Sequence, residues 1–177
     1  MIVVVVVLLA LFLGARTIAR YVIDYQWWKE MDQVSTWFSM LLYGTAPAVV
    51  ASALAFILLW WVHARALKTA GTGLRYYPVY AKLSTVALFV LAILLGVATI
   101  NSWTAIRFFG GCNLPAEATA WRDPVFAHPL SFYLFELPFY SDLLGFVLGL
   151  TVLSAIIYFA ASRLWQLRER FPQMMQE

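Results

Sequence analysis

Three groups of residues have the types and spacing to do chemistry. Arg16, Arg20 and Asp24 recur at every fourth position, which puts them along one face of a helix. Arg16 follows an uncharged run and stands about 21 Å along a helix that starts at residue 2. Ionisable groups at that depth in lipid are costly and face a protein interior, a watery cavity or the headgroups. The triplet is therefore an intramembrane polar face. Two readings fit it: a site between helices, or cations snorkelling to the outer headgroups with Arg20 paired to Asp24. His63, after Trp60 and Trp61, has an imidazole that could ligate haem iron or a chlorophyll magnesium. Beside Arg65, at the end of an apolar run, its plainer reading is an interfacial residue. Glu136 lies between Phe135 and Leu137. Buried among rings it could move a proton, and with His128 it could serve a lipid-directed membrane enzyme; on the aqueous side of an interfacial helix it would be solvated. Asp123 before Pro124 has the pattern of a helix N-cap followed by proline at the first helical position. Cys112, after Gly110 and Gly111, is a loop thiol with no second cysteine to pair with.

Other catalytic signatures are missing from the sequence. No second His, Cys or carboxylate stands at metal-ligand spacing from His63 or His128, and there is no phosphate-binding glycine loop, nucleophile elbow or paired-histidine helix motif. These features point away from an enzyme and from a metal or cofactor of the chain's own. Contact with lipid, pigment or quinone is what its aromatic side chains suit.

The elements that must position these residues follow from composition. Of 177 residues, 63% are hydrophobic and 12% charged, with a mean hydropathy of +0.80. Soluble domains are nearer ~45–50% apolar and ~25% charged, so a water-soluble core is excluded. A spanning helix needs about 20 apolar residues. Four stretches qualify: residues 2–23, 37–62, 83–103 and 143–161. Such long continuous runs are helices, since backbone amides in lipid must be bonded within the segment. The expected fold is an all-α membrane protein, a single domain of four transmembrane helices. Short interfacial helices are expected in an outer amphipathic segment near residues 121–140, with Pro138 turning the chain into the fourth helix. The first stretch reads as a retained signal-anchor, because no basic region precedes it.

Lys and Arg set the orientation. The connection between the second and third stretches and the C-terminal tail hold seven basic residues and two acids, against five basic and seven acidic elsewhere. The positive-inside rule then puts both termini in the cytoplasm of a multi-pass inner-membrane protein. The sequence pI of 9.1 follows from that asymmetry without a nucleic-acid partner. Small residues supply packing seams: Gly145 and Gly149 in the fourth stretch, and Gly44, Ala48 and Ser52 in the second.

One stretch is recognisable. Asp123, Pro124 and Phe126, followed by Ser131-Phe132-Tyr133-Leu134-Phe135-Glu136-Leu137-Pro138-Phe139-Tyr140, together with Trp103 and the Trp-rich block from Asp24 to Glu30, resemble a bacterial integral membrane family of unknown function, uncharacterised protein family number one-eight-two. The resemblance implies a longer protein with further membrane helices and a large extracytoplasmic region, of which this chain corresponds to the amino-terminal part. Where the family tends to have a Gly-Lys-Asp turn, this sequence has Ala127, His128 and Pro129. No reaction is implied. The expected function is a non-catalytic structural or accessory subunit that partners other membrane subunits and lipids, in an energy-transducing assembly of photosynthetic or respiratory type. The alternative is a transport or cell-envelope protein, a truncated relative of the longer family.

Overall fold

The computed structural model describes residues 2–111, 114 and 121–174, with side chains described within that set for residue 12 and residues 14–166. Its helices are α1 (Ile2–Glu30), α2 (Val34–Thr69), α3 (Pro78–Thr99), α4 (Ser102–Gly111) and α5 (Leu137–Met174). A 3₁₀ turn, Leu74–Tyr76, precedes α3, and a π-turn, Phe132–Glu136, leads into α5. Among the described residues, three segments are long and apolar enough to cross a membrane: Val34–Thr69, Pro78–Thr99 and Phe132–Gln166. The chain is a membrane-associated, multi-pass helical protein.

The expected fourth span, residues 2–23, is not among them. α1 is helical throughout, but the side chains of residues 2–11 lie outside the described residues. Much of that stretch therefore falls outside the residues with described side chains; within it the described part carries Arg16 and Arg20, and Asp24, Lys29 and Glu30 follow beyond it.

The other boundaries shift for local reasons. α2 runs past residue 62 because helical hydrogen bonding does not stop where hydropathy falls; it stops at Gly71, whose φ of 79° only glycine adopts freely. The Gly71 N–H then reaches the Lys68 carbonyl and the Thr72 N–H that of Leu67, which is the Schellman closure. Asp32, at φ 55°, ends α1 with the same bond pair, to Lys29 and Trp28. α3 starts earlier than expected, on Pro78, a residue suited to the first turn. It ends at Thr99, because the Asn101 side chain accepts the Trp103 N–H at 3.0 Å and caps a new helix, α4. The stretch expected to be interfacial helices over 121–140 is instead a tight turn, closed by an isolated bridge between Arg122 and Pro129, and then helix. Pro138 does not turn the chain. It has no N–H to give Leu134, and the preceding turn widens so that the Leu137 N–H bonds to the Phe132 carbonyl, five residues back. The π-turn absorbs the proline, and α5 begins before residue 143 as a result.

The chain forms two compact units, Met1–Gly44 and Thr45–Glu177. In the first, Tyr25 meets Trp37 edge to face across the α1–α2 turn, ring centroids 5.5 Å apart. In the second, Ala51, Ala55 and Leu59, one per helical turn of α2, meet Leu88 and Ala92 of α3 and Phe146 and Leu150 of α5. Leu67 and Ala70 form a further cluster with Trp165. Outward stand long apolar side chains, among them Ile57 at 63% and Leu148 at 68% exposure. Large apolar groups are normally kept from water, whereas in lipid this face is solvated.

Candidate functional site

The family-like stretch builds a turn around one carboxylate. Asp123 Oδ1 accepts the Val125 N–H at 3.1 Å, and Oδ2 accepts the Phe126 N–H at 3.3 Å and the Tyr133 hydroxyl at 2.7 Å. The Asp123 backbone is tied as well: its N–H donates to the His128 carbonyl and its carbonyl accepts from Ala127, both at 2.8 Å. Asp123 thus caps a turn, where the sequence suggested a helix. Arg122 donates to the Ala127 carbonyl at 3.2 Å, and the His128 ring stacks on Phe132 at 4.4 Å. Of the motif's residues, Phe126 is exposed, while Phe132, Tyr133, Phe135, Glu136 and Pro138 are half-buried. The motif holds the turn against the start of α5.

Donation by Tyr133, then by Val125, holds the Asp123 carboxyl below its ordinary value of 3.8. A lowered folded pKa means that the turn is fully stabilised above the ordinary value and loosens as pH falls through the lowered one. Tyr133→Phe is expected to move that loosening to higher pH, back toward 3.8, as read by acid titration of the neighbouring tryptophan fluorescence.

Ala127 closes the turn at φ 57°, where an L-residue with a Cβ pays about 1–2 kcal/mol. Ala127→Gly is expected to stabilise the turn by about 0.5–1 kcal/mol, net of glycine's greater freedom when unfolded, measured by slower hydrogen exchange at the Asp123 amide.

Glu136 lines a cleft of about 30 Å³ with Phe108, Gly111, Ser131 and Phe135, room for about one water. Phe108 stacks on Phe139 at 4.2 Å, so α4 lies against the start of α5. At the opposite end of the unit His63 is buried, its Nε2 3.4 Å from the Tyr80 hydroxyl, and Tyr80 in turn packs edge-on against Trp165. Its ring is enclosed by protein side chains, and no group of three metal-ligating side chains surrounds it among the described residues. Arg16, Arg20 and Asp24 are all exposed, and no ion pair links them among the described residues. Cys112 lies outside the described residues.

The packing residues separate in the same way. A Cβ on Gly96 of α3 would strike the Ser52 side chain and lie 2.9 Å from its backbone nitrogen, and one on Gly149 would lie 2.8 Å from Leu95. Gly44 and Gly145 have nothing within 4 Å of such an atom, and Ala48 is half-buried. Sequence reasoning missed Gly96, which lacks a spaced partner glycine. It also missed Tyr133 as the partner of Asp123, a contact across ten residues. Three arginines lie over aromatic rings one turn earlier, Arg65 on Trp61, Arg107 on Trp103 and Arg163 on Phe159; their four-residue spacing was a legible signal.

Comparison with known proteins places this chain in a family. The model of the uncharacterised protein family UPF0182 matches residues 1–176. A UPF0182 protein of Solibacter usitatus is 51% identical over 168 residues, 95% of this chain and 18% of the relative. One from Trichodesmium erythraeum is 24% identical over 91% of this chain and 19% of its own length. One from Methanospirillum hungatei is 28% identical over 76% of this chain and 14% of the relative. The chain thus spans less than a fifth of the length of these relatives. No solved structure matches it. With a family model covering nearly its whole length, the chain belongs to the uncharacterised protein family UPF0182.

Proposed function

We propose that this region is a non-catalytic structural module of a larger membrane assembly, an accessory subunit that packs against other membrane helices. The observation that carries the reading is the small-residue seam of Ser52 on Gly96 and Leu95 on Gly149 beneath a broad, exposed apolar face. Close backbone approach is how helices associate where lipid tails are as apolar as leucine, and the outward face offers the same surface to further helices. The relatives carry the region as a small part of a much longer protein, which agrees with a module that works beside more protein. The membrane is the bacterial inner membrane, with the basic end of the bundle (Arg65, Lys68, Arg75, Lys82 and Arg163) in the cytoplasm. α4, with Trp103 and Phe109 exposed, lies along the outer headgroups. An energy-transducing complex, respiratory or photosynthetic, is the setting that suits the aromatic surface. The test is solubilisation in mild detergent followed by native electrophoresis and mass spectrometry. Stoichiometric migration with a large membrane complex is the expected result; a monodisperse chain that moves a solute in liposomes would overturn the reading in favour of transport.

A further inference from the structure

We infer that the basic end of the Thr45–Glu177 unit is a binding surface for anionic phospholipid headgroups, built on two arginine–aromatic platforms. In each platform a guanidinium lies over the ring one helical turn before it, Arg65 Cζ 4.9 Å from the Trp61 centroid and Arg163 Cζ 5.5 Å from that of Phe159. Helical side chains lean toward the N-terminus. Both α2 and α5 run toward this end, so the lean carries both guanidinium groups back toward the bilayer, to the depth of the aromatic belt. A ring contact occupies the face of the guanidinium and leaves its in-plane N–H fork unspent. Among the described residues neither arginine makes an ion pair, and both are exposed.

Tertiary structure brings the platforms together. Thr69 Oγ1 and Tyr158 Oη lie 3.2 Å apart, joining the end of α2 to α5, and Tyr77 packs on Trp165 at 4.6 Å, drawing in the connection that carries Arg75. Exposed Lys68, Arg75 and Lys82 stand at the same end, and no acid is described there. Five like charges at a membrane surface call for anions. The anion at that depth is the lipid phosphate diester, whose two free oxygens match the arginine fork. Phosphatidylcholine offsets its own phosphate with choline, so the surface selects acidic lipids such as phosphatidylglycerol, as basic clusters beside membrane helices do.

The experiment reconstitutes the full chain in bilayers of phosphatidylcholine with phosphatidylglycerol and compares association of the two lipids, each spin-labelled. Phosphatidylglycerol is expected to associate about fivefold more strongly. Arg65→Gln with Arg163→Gln brings the preference close to unity, and the paired lysine substitutions, which keep charge and lose the fork, bring it partway. Arg107→Gln, whose parent side chain covers Trp103 at 5.4 Å at the other end, leaves it unchanged. Inorganic phosphate is expected to displace no more lipid than chloride of equal ionic strength. Equal association of both lipids with the unsubstituted chain overturns the inference, whatever the variants do. So does a preference that survives the double glutamine substitution, that falls as much with Arg107→Gln, or that free phosphate abolishes. The readout uses the isolated chain in lipid, so it is independent of whether partner subunits exist.

Discussion

Replacing Gly96 by leucine is expected to detach α3 from α2. Even the first added carbon would meet Ser52, with the backbone nitrogen at 2.9 Å and Cα at 3.1 Å. Backbone cannot step aside as a flexible side chain can, so the helices must separate and surrender their contacts along Ala51, Ala55 and Ala92. Overpacking of this kind costs about 3 kcal/mol at the upper end of its usual range. Gly96→Ala is expected to cost less, about 1–2 kcal/mol, and Ser52→Gly to recover part of that loss, because it removes the serine side chain and leaves the backbone where it was. The measurement is unfolding of the detergent-solubilised chain by added dodecyl sulfate, followed by tryptophan fluorescence. Gly145→Ala, at a position with open space around it, should leave the midpoint in place. An unaltered midpoint for Gly96→Leu would remove the seam from the account of stability and take away the main support for a packing module.

The second large effect is expected at Leu59, fully buried among α2, α3 and α5. Leu59→Ala should destabilise the unit by about 2–4 kcal/mol in the same titration. In lipid the lost term is mainly van der Waals contact around the new cavity, since unfolded helices still find an apolar solvent. Leu58 makes the internal control: one position away, it is 43% exposed, and Leu58→Ala should stay within about 0.5 kcal/mol of the parent. Equal losses at the two leucines would mean that the interior of this bundle is no better packed than its lipid face.

Much of the candidate site could be seen in the chain before its fold. The run from Asp123 to Tyr140 marked the family, and Asp123 beside Pro124 was legible as a capping residue because a short carboxylate two or three residues before free N–H groups has few better options. That it caps a turn depends on Ala127 taking a positive φ and on Tyr133 reaching back from the next element, neither of which a local pattern encodes. Pro138 was misjudged for a related reason. A proline deletes one helical hydrogen bond, and whether the chain then breaks or widens by a residue is decided by what packs there; here Phe135 packs on Gly111 of α4, and Phe139 stacks on Phe108. His63 carried an ambiguous signal, because its partner Tyr80 comes from α3 and is itself packed against Trp165 of α5.

By itself the amino-acid order determined the medium and the kind of element: uncharged runs of this length leave helices in lipid as the only way to satisfy the backbone, and the Lys and Arg distribution distinguishes the two ends of the bundle. Tertiary structure alone decided which small residues touch. Gly96 and Gly149 became contacts while Gly145 and Gly44 did not, since helical periodicity names a face without naming the neighbour that meets it. It alone also gathered Arg65 and Arg163 from helices nearly a hundred residues apart into one cationic end. The reason is physical: hydrogen bonding along a helix is local and readable in order, whereas packing between helices selects one register from many that the same apolar sequence allows.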